Sequence, residues 1–350
     1  LIPGSELLAV EERNGIVIID PQKKEVIAKW NFRDNRLFSK LKSTYSGIQV
    51  WQNDNKTYIF WSAANDKTSY VLQAEWDGQK IAIKNAFPFN AEGKSPLALP
   101  NEVAVHTEHG HHYLYVVLNG NNQIIKTDID SKEVVWKKPT GVAPYGITLA
   151  NDHIYVTNWA GPQPAIGTSE ETAGVPYGDA YINPITGALS RGSVSIYDLD
   201  GSFVTEIEAG LHPNDIIHSS DNRFIYVSNA NSDDITVIDT RSNKVIEEIP
   251  VKLFPGTEGF IGDSPGALAM DESEATLYVT NGLDNAVAVV SLGNKVSSHG
   301  NGESAIKGFI PTEAYPSGIA IKNNTLFITN LEGEGSRTNS MDIKRESPTA

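Results

Sequence analysis

Leu211-His-Pro-Asn-Asp-Ile-Ile-His-Ser-Ser-Asp-Asn-Arg-Phe-Ile-Tyr-Val-Ser-Asn-Ala-Asn-Ser-Asp-Asp-Ile-Thr-Val-Ile-Asp-Thr-Arg-Ser-Asn-Lys-Val-Ile-Glu-Glu-Ile-Pro-Val251 is the stretch that decides the fold. It holds four short runs rich in Ile, Val, Tyr and Phe: Asp215–His218, Phe224–Ser228, Ile235–Asp239 and Lys244–Val251. Clusters of Asn, Asp, Ser and Arg separate them. Such runs, bounded by turn-forming residues, predict strands. Four in succession predict one antiparallel meander. A single meander leaves apolar faces uncovered, so it stacks on copies of itself.

The copies are present. Tyr226-Val-Ser-Asn229 recurs as Tyr155-Val-Thr-Asn158, Tyr278-Val-Thr-Asn281 and Phe327-Ile-Thr-Asn330, with Tyr115-Val-Val-Leu-Asn119 as a looser version. The lead-in His212-Pro213-Asn214-Asp215 recurs at Leu99-Pro100, Ala143-Pro144, Ser264-Pro265 and Tyr315-Pro316, and without proline at Tyr45-Ser46-Gly47-Ile48. The proline spacings are 44, 69, 52 and 51 residues. This is a blade period with variable loops. It predicts an all-β chain, a β-propeller of four-stranded antiparallel blades spanning residues 1–330.

Taken in order, the expected blades cover about residues 6–32, 47–89, 101–140, 146–208, 214–251, 266–310 and 318–330. The first lacks its opening strand and the last shows only two, so the expectation is seven blades with incomplete ends. In the fourth blade, residues 159–191 form a long insertion where other blades use a short turn. Residues 331–350 read as a polar C-terminal tail.

Composition narrows the partners. The net charge of −15 comes without any basic cluster, so nucleic acid and anionic membrane surfaces are disfavoured. The absence of cysteine excludes disulfides, thiolate metal sites and a cysteine nucleophile. No run reaches the length of a spanning helix. The chain starts at Leu1 rather than methionine, so a processed or trimmed product is expected.

Propeller topology places the loops between strands four and one, and between strands two and three, on one rim. Function concentrates in long loops on a rigid scaffold. The insertion 159–191, the segment Phe254–Asp263 and the tail from Leu331 belong to that rim. The candidate binding residues are therefore Asn158, Trp159, Tyr177, Asp179, His212, Asn214, Asp215, Asn229, Asn281, Tyr315, Asn330 and Arg337. For the four repeated asparagines, turn capping in left-handed geometry is the preferred reading over ligand contact. His212 beside Asp215 allows acid–base work, against the plainer role of a satisfied loop histidine. His106, His109, His111 and His112 lie in the opposite rim's hairpin and read as an exposed chelator without structural purpose. No catalytic residue is assigned. Along the expected innermost strands only Glu102 and Asp215 are acidic, which makes them the weak candidates for a calcium or other divalent ion; such an ion needs about six to eight oxygen ligands. No other cofactor is expected.

The Tyr-Val-Thr-Asn tetrapeptides and Ile235-Thr-Val-Ile-Asp-Thr-Arg-Ser-Asn-Lys-Val245 resemble the YVTN-repeat β-propeller family. Asn158-Trp-Ala-Gly161, Gly308-Phe-Ile-Pro-Thr-Glu-Ala-Tyr-Pro-Ser-Gly318 and Asn330-Leu-Glu-Gly-Glu-Gly-Ser-Arg337 are similar to a subgroup in which the propeller precedes an alkaline-phosphatase-like phosphoesterase domain. The resemblance implies an extracytoplasmic location, in the periplasm or at the cell surface, and a further C-terminal domain beyond Ala350. That subgroup's metal ligands lie in the phosphoesterase domain, so no activity passes to these residues. Two functions stay open. One is a non-catalytic binding or interaction propeller whose ligand is a protein, a glycan or a small molecule. The other is catalytic, as the accessory part of a phosphoesterase or as a lactonase-like, metal-assisted hydrolase with its site at the channel mouth.

Overall fold

In the computed structural model, residues 1–44, 46–92, 94–175, 178–254, 256 and 261–331 are described. The quoted stretch folds as read: Pro213–His218, Phe224–Asn229, Asp234–Asp239 and Lys244–Pro250 make one four-stranded antiparallel sheet. Five sheets contain this full set of four strands, named here blades A to E. They span residues 49–89, 100–139, 144–209, 213–250 and 265–311. Leu8–Glu12, Gly15–Asp20 and Glu25–Asn31 form a three-stranded sheet ahead of them, and Pro316–Lys322 pairs with Thr325–Asn330 after them. The two-residue strand Lys42–Ser43 adds a fifth strand to blade A.

The expected seven blades are corrected to six. Giving each terminal sheet a blade of its own overcounts, because three strands and two strands are each less than a blade.

By contacts the chain divides into two units. The first comprises Leu1–Val227 and Thr236–Glu247; the second comprises Ser228–Ile235 and the chain from Glu248. In the first unit, blades A, B and C are each covered on both faces by their neighbours, which explains the near-continuous apolar runs. Along His111–Leu118, Leu114 and Val116 pack with Phe60, Val71 and Phe87 of blade A. Their alternates Tyr115 and Val117 pack with Ile154, Val156 and Tyr197 of blade C. The same alternation continues into blade D, where Ile225 and Val227 meet Tyr155, Val194 and Ile196. Trp61 is fully buried and joins Ile16, Ile18, Phe32 and Leu72 between the first sheet and blade A. Each such side chain stabilises the fold by roughly 1.5–3 kcal/mol relative to exposure. In the second unit, blade E is built alike: Val279 and Leu277 are buried on one face, and Val287 and Ala288 fill the next strand.

The repeated motifs have a common structural cause. Pro100, Pro144, Pro213, Pro265 and Pro316 each open an innermost strand, where the missing N–H costs no ladder bond. The residue before each (Leu99, Ala143, His212, Ser264, Tyr315) has φ between 50° and 56°. The Thr or Ser of the tetrapeptide is a staple. Thr157 Oγ1 accepts from the Gly146 N–H at 2.7 Å and donates to the Asn214 carbonyl of the following blade at 2.8 Å. Ser62 Oγ donates to the Asn101 carbonyl at 2.7 Å, and Ser228 Oγ to the Gly266 carbonyl at 2.6 Å. A Cβ at Gly146 would stand 2.6 Å from the Asn214 oxygen and 3.0 Å from Thr157 Oγ1, and one at Gly47 would stand 2.0 Å from the Asn101 oxygen. The place two residues after the lead-in proline is therefore small in four repeats: Gly47 (in the repeat without proline), Gly146, Ala267 and Gly318.

The asparagines that end the tetrapeptides correct the expectation of left-handed caps, since none of Asn158, Asn229, Asn281 and Asn330 has positive φ. Asn158, Asn229 and Asn281 are wholly buried and act through their amide groups. Asn158 Nδ2 donates to Ser193 Oγ at 3.1 Å and Ser195 Oγ at 2.8 Å. Asn229 Nδ2 donates to Asp234 Oδ1 at 2.7 Å, and Asn281 Nδ2 to Asp284 Oδ2 at 3.0 Å.

The long insertion carries its own hairpin, Thr172–Val175 paired with Gly178–Tyr181. Buried Ala180 packs with Val142, Ala143 and Ala160.

Candidate functional site

Two innermost strands of the first unit break the small-residue rule. Two residues after the lead-in proline, blade B has Glu102 and blade D has Asp215. Glu102 lies in a β-bulge, where Pro100 pairs with Leu118 but Val103 pairs with Val116. Bulges re-aim side chains and are common beside sites. At the staple position blade B has Val117, not a hydroxyl, and the Glu102 carboxyl makes the contact to the following blade instead: Glu102 Oε2 accepts from the Ile147 N–H of blade C at 2.9 Å.

The structure brings Glu102 and Asp215 together as a hydrogen-bonded pair of carboxyls. Each keeps part of its surface open to water, while the surrounding protein desolvates the Glu102 carboxyl. Burial, then the charge of Asp215, pushes the Glu102 carboxyl well above its ordinary range. Two carboxyls in hydrogen-bond contact favour a shared proton, one acting as donor and one as acceptor.

An aromatic stack lies beside the pair. Trp159 is sandwiched between Tyr145, at 4.6 Å and 24°, and His212, at 4.4 Å and 30°. Both faces of the indole are thereby occupied, while its Nε1–H is buried with no hydrogen-bond partner among the described residues. Burial lowers His212 to about 4, so the ring is neutral at pH 7. Burial and then the charge of Glu102 raise the Tyr145 hydroxyl, which hydrogen-bonds Ser46.

Sequence reasoning missed Tyr145, Ser46 and a third acid. Glu11 is pushed well up by burial, is hydrogen-bonded to Ser43, and is near enough to act on Tyr145. Its Oε1 has no partner among the described residues. A signal existed, because Glu11 stands where an aligned tetrapeptide has its asparagine.

Trp159, His212, Asn214 and Asp215 thus belong to one neighbourhood, with Glu102. Asn158 points instead into the blade, to Ser193 and Ser195. Asp179 is on the exposed hairpin, paired with Lys94 at 2.8 Å. Tyr177 and Arg337 lie outside the described residues, as does the tail 332–350. In the second unit, Asn229 and Asn281 bind acids as described, and Tyr315 lays its ring against Gly282. Asn330 ends its strand opposite Pro316.

The second unit also holds an acidic group around buried Asp233, which accepts from the N–H groups of Gly262, Asp263 and Ser264. Burial raises Asp284 to about 7 and Asp234 to about 6. The four imidazoles of residues 106–112 do not converge. His112 contacts Asn53 and Thr107 and lies edge-on to Trp51, while His111 approaches Asp128. Among the described residues no group of three or more His, Asp or Glu side chains is placed to hold a metal ion.

No family model matches the sequence, and no curated protein matches it either. Solved structures do match in fold. Hydrazine synthase of Kuenenia stuttgartiensis is 13% identical, with a TM-score of 0.62 and 95% of each chain covered. A putative 6-phosphogluconolactonase from Bacteroides uniformis is 12% identical, with a TM-score of 0.61 over 93% of this chain and 90% of that one. The nidogen/laminin complex gives 12% identity and a TM-score of 0.50 over 87% and 93%. These define the chain as a β-propeller with a six-blade arrangement, like the 6-phosphogluconolactonase propellers. Propellers of this kind include lactonase-like and protein-interaction members. No helix is long and apolar enough to cross a membrane among the described residues.

Proposed function

We propose that this chain is a non-catalytic, extracytoplasmic binding propeller that recognises a hydroxyl-rich small molecule or a glycan end at the recess around Glu102, Asp215, Tyr145, Trp159 and His212. The observation that carries the reading is the pair Glu102–Asp215 at lead-in places that the other repeats keep small. A carboxyl pair sharing one proton presents a donor and an acceptor side by side, which suits a diol. The aromatic stack supplies an apolar flank, the usual composition of a small-molecule site. His212 is a weak base with its pKa near 4, and Tyr145 stays neutral, so recognition is favoured over proton transfer. The location rests on the tetrapeptide motif alone. A lactonase-like, metal-assisted hydrolase is the second reading, and the same carboxyl pair favours it if a hard cation completes its shell with water.

Calorimetry and saturation-transfer NMR with a panel of mono- and disaccharides test the first reading, with a calcium titration alongside. Binding of a hydroxylated ligand, weakened at least about tenfold in Glu102→Gln and Trp159→Ala, is expected. Stoichiometric calcium binding lost in Asp215→Asn, without any sugar binding, would replace it by the hydrolase.

A further inference from the structure

A different site lies on the outer part of blades B and C. There the outermost strands Val134–Pro139 and Phe203–Ala209 leave a cavity of about 410 Å³ between them. Pro139, Thr140, Gln163, Tyr197, Phe203 and Glu206 are in its wall, together with Lys138. Such a volume suits a small organic molecule, for which sites of about 300–1,000 Å³ are usual.

The polar groups of this wall are one-sided. Tyr197 donates its hydroxyl to the Pro139 carbonyl at 2.6 Å. Gln163 Nε2 donates to the Thr140 carbonyl at 2.8 Å, and the Thr140 hydroxyl to the Gly141 carbonyl at 2.9 Å. These donors are already used within the fold. Glu206 is the charged acceptor that remains. It is half-buried, receives the Ser193 hydroxyl, and receives the Ser195 hydroxyl at 3.3 Å and Asn158 Nδ2 at 3.5 Å. Every one of these partners is neutral. Among the described residues no cation pairs with Glu206. Lys138, the cation in the wall, has its Cε over Gly201 and contributes to lowering Asp200 instead.

A carboxylate held by three neutral donors on the wall of an aromatic-edged cavity lacks a counter-charge. We infer that this cavity is a second binding site, for an organic ammonium ligand with an apolar body, whose nitrogen pairs with Glu206 while the body lies against Phe203, Tyr197 and Pro139. The complementary ligand class follows from the wall: a donor bearing positive charge at one end and hydrocarbon at the other. The tetrapeptide's Asn158 then has a further role here, since its amide helps fix the Glu206 carboxyl. This proposal stands apart from the recess at Glu102 and Asp215.

The test is titration of the intact chain with 2-phenylethylammonium chloride and, separately, with the neutral isostere 2-phenylethanol, followed by calorimetry and NMR. The amine is expected to bind with a Kd of about 1 mM or tighter, and the alcohol at least about tenfold more weakly. Glu206→Gln keeps the shape and should lose about tenfold in amine affinity, while binding of the alcohol is unchanged. Burial raises the Glu206 carboxyl above its ordinary range, so amine binding to the unaltered chain should strengthen as pH rises and that group ionises. Equal affinity for amine and alcohol, a flat pH profile in the unaltered chain, or no binding at about 10 mM would each overturn the proposal. The pH profile needs no variant, so it decides even where Glu206→Gln does not fold.

Discussion

Thr157 shows how one hydroxyl ties two blades. Its Oγ1 serves the Gly146 N–H and the Asn214 carbonyl, and both lie where few waters reach. Thr157→Val keeps the volume and removes both bonds. Leaving buried backbone groups unmade costs about 1–3 kcal/mol each, so a loss of roughly 2–4 kcal/mol is expected. Thr157→Ser keeps the hydroxyl and should lose less than about 1 kcal/mol; denaturant unfolding of the two variants measures the difference. At Glu102 the sign reverses. The ionised side chain is held beside Asp215 in a poorly solvated recess, so Glu102→Gln should gain roughly 1 kcal/mol at pH 8, a figure already reduced for the partial wetness of the recess. The gain should shrink as pH falls and the native carboxyl takes up its proton. At this scale the sequence was readable where the repeat is broken. Glu102 and Asp215 stood out as the only acids on the expected inner strands. That they touch was not readable, because it depends on the bulge at Pro100–Val103 and on how blades B to D pack. Glu11 replaces the asparagine of an aligned tetrapeptide, a departure visible in the sequence, but its burial and its bond to Ser43 were not.

The strands themselves were largely legible, because each is a β-branched run closed by Asn, Asp or Gly. Gly15–Asp20 is such a run, and Asp20 and Asp128 cap the turns that follow their strands through their carboxylates. The hairpin inside the insertion was not legible, since Thr172–Val175 is short, glycine-containing and without alternation. Blade number was misread for a related reason: strand pattern identifies a strand but not which sheet it completes. The insertion leaves and rejoins blade C almost at one point, for a Cβ at Gly161 would lie 2.7 Å from Cβ of Arg191. Replacing residues 162–190 by a short turn should therefore preserve the pairing of Asn158 with Ser193. We expect a fall in Tm of a few degrees, from loss of the Ala180 packing, with unchanged far-ultraviolet circular dichroism. The same variant should weaken ligand binding at Trp159, whose surroundings the insertion completes.

For the whole molecule the dominant electrostatic fact is acid on acid. The net charge is −15, and several carboxyls have raised values: Glu102 and Glu206 by burial, Asp234 to about 6 and Asp284 to about 7. For a raised acid the native state binds more protons than the unfolded chain above pH 4, so stability falls as pH rises through the folded value. These groups therefore predict a declining Tm from about pH 5 to pH 7.5. His212 acts oppositely: with its folded value near 4 against an ordinary 6.5, it adds stability as pH rises through that interval. Four or more carboxyls against one imidazole set the net sign. Scanning calorimetry should find the highest Tm at mildly acidic pH, and a rise in Tm from pH 5 to pH 7.5 would contradict the burial of these acids.

The hydroxyl staples also set a timetable for synthesis. Ser62 waits 39 residues for the Asn101 carbonyl, Ser228 waits 38 for Gly266, and Thr157 waits 57 for Asn214. At about 5–20 residues per second, a newly made blade therefore spends several seconds on the ribosome with its staple open before the following blade can close it. The insertion-bearing blade C has the longest of these intervals, and it is the nascent intermediate most exposed to a chaperone.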